Sequence, residues 1–273
     1  MEKRAFPVIL KNISFSYEEG KPLFKDMSLD LPQGVVSLVG QNGTGKSTLL
    51  LLAGGRLLPE KGTVEILGRN SSELASEEER NSLVSFIYQN MEFETEETIG
   101  QLLSTIYEGG FHKKKDPSLL KTIIDVLELG SLLDKRTGEI SKGEMQRTVI
   151  AFSILYGSSI IMMDEPVFAL ENNRKEVVLA YLNEYAAQYG VTIYYSIHEI
   201  DLSRKYSTSA LLFTKEGQIL SGPTREIMSK ENLEKAYQVP MDMLYQRENL
   251  YRSHLLEDGL PKGLSGINTK VIE

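Results

Sequence analysis

Gly40-Gln41-Asn42-Gly43-Thr44-Gly45-Lys46-Ser47 is the stretch that decides the fold of this 273-residue chain. It matches the phosphate-binding loop pattern G-x-x-x-x-G-K-[ST] at every fixed position. The apolar run Val35–Val39 before it predicts a buried strand, and Thr48–Ala53 after it predicts a helix. The glycines let backbone N–H groups turn toward a phosphate, and the helix start adds about half a positive charge. We therefore expect Lys46 to bridge the β- and γ-phosphates of a nucleotide and Ser47 to bind Mg²⁺.

A second motif consists of two acids, Asp164 and Glu165, after the apolar strand predicted over Ile160–Met163. In phosphate-loop proteins, an Asp at this point holds the Mg²⁺ that bridges the β- and γ-oxygens. Glu165 directs a second carboxylate at the same cleft, where it can orient a water or accept its proton. Considered alone, the pair could also be a simple strand end; beside a phosphate loop it predicts a catalytic site.

Composition restricts the classes of partner. The formal net charge is −8, which argues against nucleic acid as the main partner, because non-specific binding to nucleic acid depends on Lys and Arg. The chain has no cysteine, so disulfide and thiolate chemistry are excluded. Met1–Pro7 lacks the apolar segment of a signal peptide, and no stretch has the 18 or so apolar residues of a membrane span. We expect a cytoplasmic chain that touches a membrane only through a partner.

The order of sequence patterns predicts an α/β fold. Alternating apolar residues over 8–31 predict an N-terminal antiparallel β subdomain, and the buried strands predict a phosphate-loop core with a mixed or parallel sheet. Between them lies an inserted helical subdomain, with a capping box at Thr98–Gln101 and a helix over Leu119–Leu129. The predicted division is a single domain over 1–257, with a core of 1–90 and 141–257 and the helical subdomain at 91–140, followed by a flexible tail at 258–273.

A third motif, Ser141-Lys142-Gly143-Glu144-Met145-Gln146-Arg147, lies shortly before the acidic strand. Ser141 and Glu144 have capping-box spacing, which predicts a helix start and therefore an anion site. Taken alone, a helix cap without a ligand is the simpler interpretation. The order of the phosphate loop, Gln89, this motif, the two acids and His198 resembles the ATP-binding subunits of ABC transporters, over about residues 9–228.

The resemblance implies ATP and Mg²⁺ as cofactors and assigns roles to residues. It implies that Tyr17 stacks on adenine, that Gln89 links Mg²⁺ and the attacking water to the helical subdomain, and that His198 contacts the γ-phosphate. The implied catalytic residues are Glu165, His198, Lys46 and Gln89, and the implied metal ligands are Ser47, Gln89 and Asp164. The implied ATP-binding residues are Tyr17, Gly40, Gln41, Asn42, Gly43, Thr44, Gly45, Lys46, Ser47, Thr48, Ser141, Lys142, Gly143 and Glu144.

Two positions depart from the family pattern. Lys142 replaces a usual glycine, and its ammonium either points to solvent or supplements the anion site across a dimer. Glu171 replaces a usual aspartate in the loop Ala169–Glu171, which aligns with the segment that crosses the dimer interface in the family. Both departures are expected to affect the rate of ATP hydrolysis more than the fold.

The resemblance also implies partners: a second copy of the chain around two ATP molecules, two integral membrane permease subunits and a substrate-capture protein, with no nucleic acid. The subunit is then expected on the inner face of the cell membrane. Residues 221–239 resemble the ending of subunits that serve iron-chelate, haem and cobalamin importers. The acidic loop at Glu92, Glu94, Glu96 and Glu97 is either a solvated helix start or a docking site for a basic permease helix. Alternatives are an exporter subunit, a soluble ATPase of cluster assembly and a weakly hydrolysing nucleotide-dependent regulator.

Overall fold

The chain folds into two β-sheets with helices around them, as described in a computed structural model for residues 6–89, 91–113 and 115–244. The strands are β1 (Val8–Glu18), β2 (Lys21–Leu31), β3 (Val35–Val39), β4 (Lys61–Ile66), β5 (Arg69–Asn70), β6 (Val84–Ile87), β7 (Ile160–Met163), β8 (Thr192–Ser196), β9 (Ser209–Phe213) and β10 (Ile219–Pro223). The helices are α1 (Lys46–Ala53), α2 (Glu77–Leu83), α3 (Ile99–Gly109), α4 (Leu119–Val126), α5 (Lys142–Leu155), α6 (Asn172–Tyr189), α7 (Ile200–Tyr206), α8 (Thr224–Ile227) and α9 (Lys230–Tyr237).

The first sheet is antiparallel and the second is mixed, which confirms the predicted fold class. The antiparallel sheet has the order β2-β1-β4-β5, and the mixed sheet has the order β10-β9-β3-β8-β7-β6. In the mixed sheet, β9, β3, β8, β7 and β6 run parallel, and β10 closes the edge as an antiparallel partner of β9. Strands β9 and β10 thus form a hairpin that closes this edge of the sheet.

The mixed sheet is buried on both faces, which explains its near-continuous apolar strands. In β3, Val35 and Val39 belong to a core shared with helices α3, α4, α5 and α6. Val36 and Leu38 point to the opposite face and belong to a core shared with α1 and the antiparallel sheet. Successive side chains of a strand point to opposite faces of the sheet. The side chains of β3 therefore alternate between the two hydrophobic cores, one on each face of the mixed sheet.

Helix α4 ends at Val126, earlier than the predicted end at Leu129. Glu128 has a left-handed backbone with φ of 48°. The carbonyl oxygens of Leu127 and Glu128 accept hydrogen bonds from Nη1 of Arg147 at 2.7 and 3.0 Å. An arginine from α5 therefore satisfies the carbonyls that the helix end leaves open, and it ties α4 to the helix that begins at the third motif.

The segment after β10 forms two short helices rather than one. Helix α8 ends at Ile227, and the Ser229 side chain accepts the Asn232 N–H at 3.3 Å to start α9. The division into core and helical subdomain stays a prediction. The predicted tail at 258–273 lies outside the described residues.

Candidate active site

The loops that carry the predicted chemistry meet at one edge of the mixed sheet. The phosphate loop follows β3, Gln89 follows β6, Asp164 and Glu165 follow β7, and His198 follows β8. Strands β3, β8, β7 and β6 are consecutive parallel neighbours. Because open α/β sheets bind ligands outside the carboxyl ends of their parallel strands, strand order alone gathers these residues around one crevice.

The backbone of the phosphate loop requires glycine at two close approaches. Gly45, directly before α1, has a φ of 98°, and a Cβ there would lie 2.9 Å from the ring of Phe24. A Cβ on Gly40 would lie 2.8 Å from the Cβ of Phe213. The loop is therefore held between β2 and the end of β9, and its backbone leads directly into the N-terminus of α1, where N–H groups favour an anion.

Lys46 is a buried ammonium that faces two carboxylates. Its Nζ donates to the carbonyl oxygens of Gly40 at 2.8 Å and Gln41 at 2.9 Å, and the residue is only 7% exposed. Burial lowers the pKa of Lys46, whereas Glu165 and Asp164 oppose this shift by favouring the charged form. The ammonium has three donor hydrogens. It can therefore replace its hydrogen bonds to the loop carbonyls by hydrogen bonds to phosphate oxygens while it stays in the same part of the site.

Asp164 and Glu165 are joined by one hydroxyl group. Ser196, fully buried at the end of β8, donates to Oδ1 of Asp164 at 2.6 Å. The same hydroxyl accepts the backbone N–H of Glu165 at 2.8 Å. Ser196 is not among the predicted site residues; its sequence signal is a hydroxyl that ends an apolar strand two residues before His198.

Glu165 is held in a left-handed backbone conformation, with φ of 52°, and its carboxylate is bound by side chains. Nε2 of His198 lies 2.7 Å from Oε1 of Glu165. Burial alone would raise the pKa of Glu165, but hydrogen bonds from His198 and Gln89 and the positive charge of Lys46 outweigh burial and lower it. Glu165 is therefore a carboxylate near neutral pH, the state in which it can orient a water or accept a proton.

The oxygen atoms around the loop fit Mg²⁺ in chemical type. The Ser47 hydroxyl is exposed at the start of α1, the Asp164 carboxylate is oriented by Ser196, and Gln89 supplies an amide oxygen. Mg²⁺ usually takes one or two protein carboxylates together with substrate phosphates and water. In the described part of the chain, no cluster of three or more His, Cys, Asp or Glu could hold a metal by itself.

The third motif forms the predicted capping box. The Ser141 hydroxyl accepts the Glu144 N–H at 3.3 Å, and the Glu144 carboxylate accepts the Ser141 N–H at 2.7 Å. The Lys142 side chain is 88% exposed, with Nζ 4.0 Å from Oε1 of Glu92, and a Cβ on Gly143 would lie 3.2 Å from the Ala169 carbonyl. Within the described ranges, no hydrogen bond or ion pair joins this helix start to the phosphate loop.

Tyr17 lies beside the helix that follows the phosphate loop. Its hydroxyl is 3.2 Å from Oγ1 of Thr48, and its ring makes an edge contact with Phe15 at 4.9 Å between centroids. Tyr17 is 66% exposed, so one face of the ring is open to a ligand. Of the remaining loop residues, Asn42 and Gly43 are exposed and Thr44 is half-buried.

A separate cavity of about 320 Å³ opens between β6 and helices α3 and α5. Its wall is largely apolar, and the lining residues include Phe86, Tyr88, Phe93, Ile106, Val149 and Phe152. The acidic loop runs beside it. Glu96 pairs with Arg136 at 2.7 Å and Glu92 approaches Lys142, whereas Glu94 and Glu97 are exposed acids of the same loop.

The family model described as ABC transporter matches residues 24–168, just over half of the chain, including the phosphate loop, the third motif and both acids. The chain belongs to the ABC transporter family. It is an ATP-binding subunit and an ABC ATPase. Among the described residues of this ABC ATPase, no helix is both long enough and apolar enough to cross a membrane.

Relatives of this ABC ATPase include ATP-binding proteins of two differently named transport systems. The petrobactin import ATP-binding protein FatE of Bacillus anthracis is 29% identical over 80% of this chain and 88% of its own length. The energy-coupling factor transporter ATP-binding protein EcfA1 of Lactobacillus johnsonii is 28% identical over 97% of this chain and 98% of its own length. Their names point to different transport systems, so they do not fix a cargo.

A solved structure supports the fold of the ABC ATPase. The ATP-binding cassette MJ0796, solved as a dimer in a post-hydrolysis state with ADP and Pi, matches 80% of this chain and 99% of its own, with a TM-score of 0.68 at 22% identity. At that identity the likeness concerns the fold.

Proposed function

We propose that this ABC ATPase forms a homodimer around two ATP molecules and powers import of a metal chelate or cobalamin-like solute through two separate membrane permease subunits. The observation that carries the proposal is Glu165, a carboxylate bound by His198 and Gln89 and facing the Lys46 ammonium. The petrobactin-import relative and the resemblance of residues 221–239 support the class of cargo. A substrate-capture protein completes the proposed system, and the subunit lies on the inner face of the membrane through its permease contacts.

In the proposed reaction, the chain positions ATP and a water for in-line attack on the γ-phosphate. The Lys46 ammonium transfers its hydrogen bonds from loop carbonyls to β- and γ-phosphate oxygens. Ser47, Asp164 and Gln89 hold Mg²⁺, which when bound neutralises charge on the phosphates. Glu165 orients the water and accepts its proton, and His198 holds Glu165 in position and contacts the γ-phosphate.

The helix start at Ser141 gives the reason for a dimer. It presents N–H groups and the Gly143 backbone as an anion site, but its contacts do not reach the phosphate loop of its own chain. In the proposed dimer, each Ser141–Glu144 segment binds the γ-phosphate held by the other copy, and Tyr17 stacks on the adenine. The loop that ends at Glu171 crosses between the two copies.

The apolar cavity beside β6 is the proposed seat of a permease helix. Tyr88 and Met91, which are 45% and 36% exposed, line this apolar cavity and extend its surface toward solvent, where a partner helix could cover both. Gln89 lies between these two residues in sequence, so the same loop reaches Glu165 and the permease. Exposed Glu94 adds negative charge suited to a basic helix.

The test of the proposed function uses the purified full chain. We expect ATP hydrolysis with Mg²⁺, and we expect Glu165→Gln with ATP to elute as a dimer by light scattering while the same variant with ADP stays monomeric. A Glu165→Gln protein that binds ATP and remains monomeric contradicts the dimer. Cells that carry Lys46→Met are expected to lose uptake of a radiolabelled ferric chelate.

A further inference from the structure

A hydrogen bond links the phosphate loop to the end of a distant helix. Nε2 of Gln41 donates to the carbonyl oxygen of Tyr237 at 2.7 Å, across 196 positions of sequence. Gln41 occupies a position that the phosphate-loop pattern leaves open, so the motif itself does not demand a glutamine. Tyr237 is the last residue of α9, where carbonyl groups point out of the helix.

The end of α9 is itself well fixed. Gln238 adopts a left-handed conformation with φ of 56°, and its N–H donates to the Glu234 carbonyl at 2.8 Å. Its side chain donates to Oε1 of Glu216 at 2.9 Å. Leu233 anchors the helix in the core with no exposed surface. The Tyr237 carbonyl is therefore held at a defined position relative to the mixed sheet.

The backbone carbonyl of Gln41 is a direct hydrogen-bond partner of Lys46. The Gln41 carbonyl oxygen accepts a hydrogen bond from Nζ of Lys46 at 2.9 Å and another from Oγ1 of Thr44 at 2.8 Å. One residue thus contacts α9 through its side chain and the phosphate-binding ammonium through its main chain. Movement of the α9 end would move the carbonyl that holds Lys46.

We propose that Gln41 is a positioning residue that couples α9 to ATP binding. This inference rests on the proposed placement of ATP at the phosphate loop. The Gln41–Tyr237 bond orders the loop before ATP arrives, so that less conformational freedom is lost on binding. Coupling between two sites is reciprocal: ATP at the loop steadies the end of α9, and displacement of α9 weakens ATP binding.

Two substitutions remove the bond in different ways. Gln41→Met keeps the length of the side chain but has no donor, and Gln41→Asn keeps the amide but is about 1.5 Å shorter, which is too short for this bond. Gln188→Met is the matched control, because Gln188 is exposed on α6. Both Gln41 variants are expected to raise the Kd and KM for ATP about 3- to 10-fold, the range for one net hydrogen bond, whereas Gln188→Met is expected to leave both values unchanged.

Amide hydrogen exchange of the full chain distinguishes coupling between α9 and the ATP site from a general loosening of the phosphate loop. In the wild-type protein, saturating ATP is expected to slow amide exchange in the peptide that covers 233–238. In Gln41→Met at saturating ATP, this slowing is expected to disappear, while Gln188→Met retains it. An unchanged ATP affinity in both Gln41 variants, or an α9 response that persists in them, overturns the proposal. A wild-type protein that binds no ATP overturns the proposed function instead.

Discussion

Nε2 of His198 donates a hydrogen bond to Oε1 of Glu165 over 2.7 Å, so two residues from neighbouring strand ends act as one unit. Because the pKa of Glu165 is lowered, the carboxylate is the acceptor and the imidazole N–H is the donor. The hydrogen bond fixes the orientation of the Glu165 carboxylate.

Replacement of Glu165 by glutamine is expected to lower the rate of phosphate release by about 10²- to 10⁴-fold, the usual contribution of a positioned general base. ATP affinity should change little, because the amide keeps the shape of the carboxylate. Glu184→Gln, an exposed acid on α6, is the control. Undiminished turnover in Glu165→Gln would exclude the proposed role.

Removal of the Ser196 hydroxyl is expected to affect both stability and metal dependence. Ser196→Ala leaves a buried carboxylate without its donor and a backbone N–H without its acceptor, which should lower the free energy of unfolding by about 1–3 kcal/mol. The Mg²⁺ concentration for half-maximal ATPase activity should rise about 10- to 100-fold, since Asp164 is no longer oriented.

Ser37 offers a matched control for Ser196. It is fully buried on β3, and its hydroxyl lies 2.6 Å from that of Ser203, away from the acids. Ser37→Ala should lower stability in a denaturant titration without changing the Mg²⁺ requirement. Equal Mg²⁺ curves for the two variants would refute the link between Ser196 and the metal.

Lys46→Met is expected to weaken ATP binding without a comparable loss of thermal stability. Loss of the ammonium should weaken ATP binding about 10- to 100-fold, the range of a hydrogen bond to a charged group. The midpoint of thermal unfolding should change little, because the relief of removing a buried charge is offset by the loss of the donor to the Gly40 and Gln41 carbonyls. Calorimetry measures both quantities, with exposed Lys25→Met as the control; a large loss of stability would contradict the expectation.

Charge reversal at the acidic loop tests permease docking. Glu94→Lys, alone and with Glu97→Lys, should reduce co-purification with membrane permeases, whereas Glu184→Lys should not. The two residues are chosen because Glu96 is engaged with Arg136 and Glu92 lies near Lys142. If the loop is only a solvated helix start, the variants should lose a little stability at Thr98 and bind permeases as before.

His112 is expected to make stability depend on pH. Burial lowers its pKa below the ordinary 6.5, and its Nε2 donates to the Leu155 carbonyl at 2.8 Å. As the pH falls below about 6.5, the unfolded chain takes up the proton first, so the free energy of unfolding decreases toward acid. His112→Gln keeps a donor but does not titrate. The slope of unfolding temperature against pH between about 7 and 5 should be shallower in this variant; parallel slopes would refute the contribution.

Sequence patterns were sufficient where the chemistry is local. The loop from Gly40 to Ser47, the capping boxes at Thr98 and Ser141, and the apolar strands before the acids all depend on neighbours in sequence, and the structure contains each of them. Burial of both faces of the mixed sheet explains its near-continuous apolar strands, and the observed order of those strands brings the loops together.

Long-range contacts were beyond the reach of sequence patterns. The early end of α4 depends on Arg147, which lies about twenty residues later, and the link from Gln41 depends on Tyr237. The role of Ser196 also depends on two residues of another strand end. No local periodicity or propensity contains these pairings, because each is created when separate elements pack.

The left-handed backbone at Glu165 limits what an engineered replacement can achieve. A residue with a Cβ in that conformation costs on the order of 1–3 kcal/mol, and the Ser196 hydroxyl, which accepts the Glu165 N–H, helps to maintain it. Glycine at this position would relieve that cost but would remove the carboxylate. A screen that selects only for thermostability is therefore expected to favour a variant without the proposed water-orienting group.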